Sequence, residues 1–258
     1  MIKETETAVE VFKELAPEVY KDVAKPSLQA MGKALGNVIE LVALPISGLN
    51  YWSEKAKILI AHNLDVYRKK LDQIEPEKVQ PVAQEIGVPI FEKLRYTANK
   101  DLVEMFTNLL ASASSFDSMP SVHPAFVDII SKLSPEEAKI LAGMKRRSTV
   151  LWCTIKGMLY SKGYNILKDH ATDIDVFADL TFKENEVVYM SNLVGLGLFV
   201  EKQEYLTENS YYDEICTKNG IEEMKATLVP SKYKTIEVVK GLYEITPLGK
   251  MFLKACVR

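Results

Sequence analysis

Three cysteines, three histidines and a run of aspartates are the residues in this chain best suited to nucleophilic, acid–base or metal chemistry. Cys153, Cys216 and Cys256 stand far apart, with no Cys-x-x-Cys and no Cys/His pair at zinc-ligand spacing. Free thiols are the simple expectation. His62 has no His, Cys or carboxylate four residues to either side, so a surface or boundary position suits it better than a ligand role. His123 and His170 have no obvious nucleophile beside them. His170-Ala171-Thr172-Asp173 offers a His/Asp pair in what reads as a polar loop, which is weak evidence for a site. Asp169, Asp173, Asp175 and Asp179 suggest calcium, yet the glycine of the required turn and the closing glutamate are missing. A solvated acidic face is the expectation there.

Motifs with a known catalytic mechanism are lacking: no GxSxG, HExxH, P-loop or GxGxxG occurs. Gly195-Leu196-Gly197-Leu198 lacks both the third glycine and the opening strand of a dinucleotide fingerprint. The expectation is a protein that is not an enzyme, with no catalytic residue, no metal and no cofactor.

Cations are the remaining chemical resource. Arg68-Lys69-Lys70 and Lys145-Arg146-Arg147 each fall at an expected helix end, where the helix dipole favours positive charge. A helix starting at Thr181 carries Lys183, Glu184, Asn185, Glu186, Ser191 and Asn192. Lys183, Asn185, Asn192, Lys145, Arg146 and Arg147 are the candidate nucleic-acid contacts. Two glutamates beside one lysine make a poor phosphate-binding surface, and the four preceding aspartates add repulsion.

Composition sets the outer bounds. The chain has 258 residues, 47% hydrophobic and 26% charged, with 32 basic against 35 acidic side chains and a net charge of −3. That balance excludes a strongly basic nucleic-acid coat and a highly acidic disordered chain. The acidic N-terminal residues do not read as a signal peptide. The longest uncharged run, Val187 to Val200, is short of the about 20 apolar residues of a membrane-spanning helix. A cytoplasmic protein is expected. The segment from Pro26 to Ser53 is the most apolar, with Gly32 and Gly36 in a GxxxG, and reads as a buried helix or, in the alternative, a membrane-active one.

These residues must be carried by helices. A capping box at Thr7 and Glu10 opens one to Val23, an apolar helix follows towards Pro45, and a long one runs from Trp52 to Ile74. Leu102, Phe106, Leu109, Leu110 and Ala113 form the stripe of another from Asp101 to about Ser114. The loop at residues 116–121 divides a helical domain, 1–120, from a second domain, 121–258. Pro124, Ser134-Pro135 and Thr181 open helices in the second part, Gly195 and Gly197 end the last of these, and Thr246-Pro247 opens a final one. Leu198–Glu201 and Gly241–Ile245 read as two strands around a long insertion with a helix near Ile221–Met224. Helix, helix, strand, strand, helix is the order of a winged helix. The fold class is therefore mainly α: an N-terminal helical domain and a C-terminal winged-helix-like domain with a small β-hairpin.

"FEKLRYTANKDLVEMFTNLLASASSFDSMPSVHPAFVDIISKLSPEEAKILAGM", Phe91 to Met144, resembles the abortive infection alpha family of bacterial proteins. The upstream "LGNVIELVALPISGLNYW" and the terminal "NLVGLGLFVE" and "YEITPLGKMFLKAC" are similar to the same family. The resemblance implies a part in abortive infection, in which a phage-infected cell stops growing or dies before releasing phage. It places no catalytic residue on this chain. His123, in the His-Pro of the motif, reads as a core or capping residue. The expected function is a non-enzymatic phage-defence protein acting on a protein partner. A winged-helix DNA-binding regulator, a membrane-active effector and self-association are the alternatives.

Overall fold

The computed structural model describes residues 25–42, 53–203, 210–229 and 231–257, together with Glu10 and Lys13. Apart from those two, the expected helix at 7–23 lies outside the described residues, as do Pro45 and Trp52. The chain forms two compact units, residues 1–135 with 251–258, and residues 136–250. Among the described residues it is mainly helical, with one antiparallel sheet of four strands.

The first unit contains α1 (Lys25–Val42), α2 (Glu54–Leu71), α3 (Gln84–Leu94), α4 (Lys100–Ala113), α5 (Ala125–Ser131) and the last residues of α10 (Pro247–Cys256). Met31, Ala34, Leu35, Val38 and Ile39 recur at helical spacing on α1 and are all buried, so its apolar side lies in the core. No described helix is long and apolar enough to cross a membrane. On α2 the stripe is Ile60, Leu64, Tyr67 and Leu71, and Ser53 caps the helix by accepting from the Ala56 N–H at 3.2 Å. Asn63, buried between these residues, donates to the Leu94 and Thr97 carbonyls at 2.8 and 2.9 Å.

The small residues at the end of α4 admit a close neighbour. Ser112 Oγ donates to the Ala255 carbonyl at 2.8 Å, and Asn108 Nδ2 donates to the Cys256 carbonyl at 3.0 Å. These carbonyls belong to the last turn of α10, where the helix has no N–H donors left for them. Phe252 meets Phe126 edge-on, with ring centroids 5.2 Å apart.

The second unit contains α6 (Pro135–Gly143), β1 (Thr149–Met158), β2 (Tyr164–Thr172), α7 (Glu186–Gly195), β3 (Phe199–Lys202), α8 (Ser210–Lys218), α9 (Ile221–Leu228) and β4 (Thr235–Ile245). The strand order is β2-β1-β4-β3, with every neighbouring pair antiparallel. The expected small hairpin is thus the β3–β4 half of a larger sheet. β1 escapes a search for alternation because Val150 to Ile155 are buried on both faces and read as one apolar run. β2 escapes it because it is an edge strand whose outer residues, Asn165, Lys168 and Asp169, are polar and exposed.

The expected capping box at Thr181–Glu184 is not used. The Thr181 N–H donates instead to Glu136 Oε2 at 2.6 Å, residues 183–185 form a 3₁₀ turn, and α7 starts at Glu186. At the other end Gly197, with φ +74°, takes the left-handed turn, and its N–H bonds the Val194 carbonyl at 2.9 Å. Thr246 Oγ1 accepts from the Gly249 N–H at 2.9 Å and starts α10 as expected. The insertion between β3 and β4 holds α9 near its expected place and also α8. Tyr212, Ile215 and Cys216 of α8 pack on Leu151, Cys153, Ile155, Ala171 and Leu242.

Candidate functional site

Each of the six expected nucleic-acid contacts has a place in the second unit, but on separate elements. Lys183 and Asn185 lie exposed on the 3₁₀ turn before α7. Lys145 and Arg146 lie exposed on another such turn after α6. Arg147 turns inward. Its guanidinium stacks over Phe177 at 4.5 Å and pairs with Asp173. Asn192 is half-buried and donates to Glu137 Oε1 at 2.8 Å. Glu186, expected beside Lys183 on an outward face, bonds Thr172 through its Oε2, and burial holds its carboxyl above the usual range.

Asp173 is buried and structural rather than part of a solvated acidic face. Its Oδ1 accepts from the Leu151 N–H at 2.9 Å, and its Oδ2 meets Arg147. Burial raises its pKa against the pull of both partners. Arg68, Lys69 and Lys70, the other basic run, are engaged by Asp65, Asp72 and Glu104. His62 is exposed. His123 accepts at Nδ1 from the Ala125 N–H at 3.1 Å, so it caps the turn that opens α5.

The most unusual side-chain cluster centres on His170, a strand residue and not a loop residue as the sequence suggested. Its acidic neighbour is Asp169, with Asp173 turned to other partners. His170 adopts φ +38°, the one positive φ outside glycine among the described residues. This strained backbone accompanies a register irregularity in the β1–β2 pairing next to Thr154. The Thr154 hydroxyl receives the His170 N–H at 3.2 Å and donates to Asp169 Oδ1 at 3.1 Å. The imidazole lies 4.3 Å from the Trp152 ring and 6.2 Å from Tyr243.

Both ring nitrogens face acceptors, Nδ1 to Asp169 Oδ1 at 2.6 Å and Nε2 to Glu201 Oε1 at 3.2 Å. A neutral imidazole has one N–H and satisfies one of these, whereas the cation satisfies both. Burial, then the negative charge of Glu201 and Asp169, pushes the Tyr243 hydroxyl well above its ordinary value. Trp152 Nε1 is buried with no partner among the described residues. Trp152, Thr154, His170, Glu201 and Tyr243 come from all four strands, so no local spacing could have gathered them. The arrangement sets an imidazole between two carboxylates against an aromatic floor. Among the described residues no group of three or more His, Cys, Asp or Glu could hold a metal ion.

No curated protein matches the chain. A solved structure, that of an uncharacterized protein from the hydrocarbon-degrading marine bacterium Alcanivorax borkumensis SK2, is similar at 17% identity and a TM-score of 0.34. The similarity covers 55% of this chain and 96% of that one. The sequence model of one family, abortive infection alpha, matches residues 60–256, and the chain belongs to that family.

Proposed function

We propose that the chain is a phage-defence protein of the abortive-infection type that acts by binding a protein partner, without catalysing a reaction. The observation that carries this reading is the family match across residues 60–256. A winged-helix-like module in the second unit serves as the interaction element. The order α6, α7, β3, β4, α10, with β3 and β4 antiparallel, supports that description. Tyr160, Tyr164 and Ile166 are exposed on the β1–β2 hairpin, and grouped exposed apolar side chains suit a protein interface.

The DNA-binding alternative has less to stand on. Arg147 and Asn192 are engaged within the unit, and Lys183 has Glu184 beside it. The membrane-active alternative would have to release α1 from the core that buries Leu35 and Val38.

Expression in a phage-sensitive bacterial host tests the reading. Infected cultures making the chain should arrest and release fewer phage than cultures with an empty vector, and equal phage yields would overturn it. A Tyr160→Asp/Ile166→Asp variant with an unchanged melting temperature should lose protection; full protection would remove the hairpin from the interface. Hydrolysis of nucleotide or nucleic acid by the purified chain, abolished by one substitution, would refute the non-enzymatic part. Salt-sensitive duplex binding weakened by Lys183→Glu would favour the DNA alternative.

A further inference from the structure

The cysteines that looked unrelated in sequence are not all apart in space. Cys153 Sγ on β1 and Cys216 Sγ on α8 lie 3.5 Å from each other, although 63 residues separate them. Both are buried where α8 packs on the sheet, among Leu151, Ile155, Tyr212 and Ile215. We propose that this pair is a thiol-oxidation site: a hydroperoxide converts it to a reversible disulfide that fastens α8 to β1.

Geometry is the main support. A disulfide needs sulfurs about 2 Å apart, so these two must close by roughly 1.5 Å. The β1–β2 register is irregular immediately after Cys153, a place where strand backbone can adjust. The two thiols are also unequal. Cys216 is held below its ordinary value by the hydrogen bond with Cys153, with burial opposing and the Lys240 ammonium assisting. The same hydrogen bond, then burial, pushes the Cys153 thiol up. Lys240 lies against the Tyr212 ring at 5.3 Å and 3.9 Å from Asp213 Oδ1, beside the residues that carry Cys216. Cys216 also keeps slight solvent exposure, 5%, where Cys153 has none. Cys216 is therefore the attacking sulfur and Cys153 the resolving one.

The chemistry balances in two steps. The Cys216 thiolate attacks the outer oxygen of the hydroperoxide; the S–O bond forms, the O–O bond breaks, and the alkoxide or hydroxide leaves with a proton from solvent. Cys216 is then a sulfenic acid. The Cys153 sulfur attacks Cys216 Sγ; the S–S bond forms, the S–O bond breaks, and the leaving hydroxide takes the Cys153 proton as water. Two thiols are oxidised and one hydroperoxide is reduced to an alcohol, or to water when it is hydrogen peroxide. Cys256, which lies in the other unit, takes no part.

The test uses the folded full chain and hydrogen peroxide. After quenching, the protein is denatured, alkylated with N-ethylmaleimide, digested and mapped by mass spectrometry. The expected result is a peptide pair joined through Cys153 and Cys216, alkylation confined to Cys256, and return of both thiols on treatment with dithiothreitol. Cys153→Ser should instead leave a sulfenic acid at Cys216 that dimedone traps, and Cys216→Ser should leave Cys153 alkylatable. Amide exchange across Ser210–Lys218 should slow in the oxidised protein. Three alkylated thiols after oxidation, a cross-link through Cys256 or between chains, or unchanged exchange in α8 would overturn the proposal. The wild-type map decides the matter even where a variant does not fold.

Discussion

Replacing Gly241 with alanine should damage the second unit in proportion to a clash that can be read directly. Gly241 on β4 pairs with Trp152 on β1, and the indole lies across the glycine. A Cβ at position 241 would sit 2.2 Å from Trp152 Cζ2, 2.4 Å from Cε2 and 2.6 Å from the Lys202 carbonyl oxygen. None of these atoms is the free end of a flexible side chain. Trp152 is 2% exposed and lies against the His170 ring, so it cannot swing away without opening the face it fills. Overpacking of this kind costs about 1–3 kcal/mol. The smaller backbone entropy of an unfolded alanine returns about 0.4–1 kcal/mol where the fold accepts the substitution, which leaves a net loss of roughly 1–2 kcal/mol. For a unit of this size that is a fall in melting temperature of roughly 4–8 °C. Gly195→Ala is the matched control. A Cβ there meets nothing within 4 Å, and the residue is helical, so the same change should stabilise by about 0.5–1 kcal/mol. Circular dichroism melts of the two variants, with tryptophan fluorescence in a Trp52→Phe background, measure both. Equal shifts, or an unchanged Gly241→Ala, would refute the close-approach reasoning.

Phe252→Ala should cost about 3–5 kcal/mol and loosen the first unit, because the ring is fully buried against Phe126; limited proteolysis within residues 54–113 reads it. His170→Val should destabilise more than His170→Gly in denaturant titrations, since both lose the ring contact with Trp152 but only glycine relaxes at φ +38°. Asp65 resists burial through its bonds to Lys69 and Arg68, which hold its carboxyl below the usual range. A depressed carboxyl stabilises above its unfolded value, and that contribution fades as pH falls through about 4. The gap in melting temperature between wild type and Asp65→Asn should therefore be present at pH 7 and shrink by pH 3.

Helices with apolar residues at helical spacing or with a local cap were legible in the sequence. Leu102, Phe106, Leu109 and Leu110 mark α4 by their spacing, although the helix is buried on all sides from Met105 to Ala113, and Thr246-Pro247 marks α10 because the cap uses local atoms. The sheet was legible where a strand adjoined such a signal, as at Phe199 and Tyr243. It was hidden at β1, where burial on both faces erases the alternation, and at β2, where an edge strand carries polar residues. Thr181 and Glu184 had the right types for a cap, but Glu136, 45 residues earlier, offered the Thr181 N–H a charged acceptor. The His170 cluster and the Cys153–Cys216 pair were invisible for one reason: each is assembled by strand pairing or helix docking across dozens of residues. The family, by contrast, was readable because its motif is a contiguous stretch of helices and turns.

The bonds from Asn108 and Ser112 to the carbonyls of Cys256 and Ala255 span 148 and 143 residues. A ribosome makes α1 to α5 of the first unit before α10, so those two buried donors and the place filled by Phe252 stay open until Phe252, Ala255 and Cys256 emerge. The first unit therefore reaches its native packing only after the sheet unit has been synthesised, and it waits in the meantime with an incomplete apolar face. A nonsense codon or a frameshift ahead of Phe252 would strike the helix that carries Asn108 and Ser112, encoded far upstream.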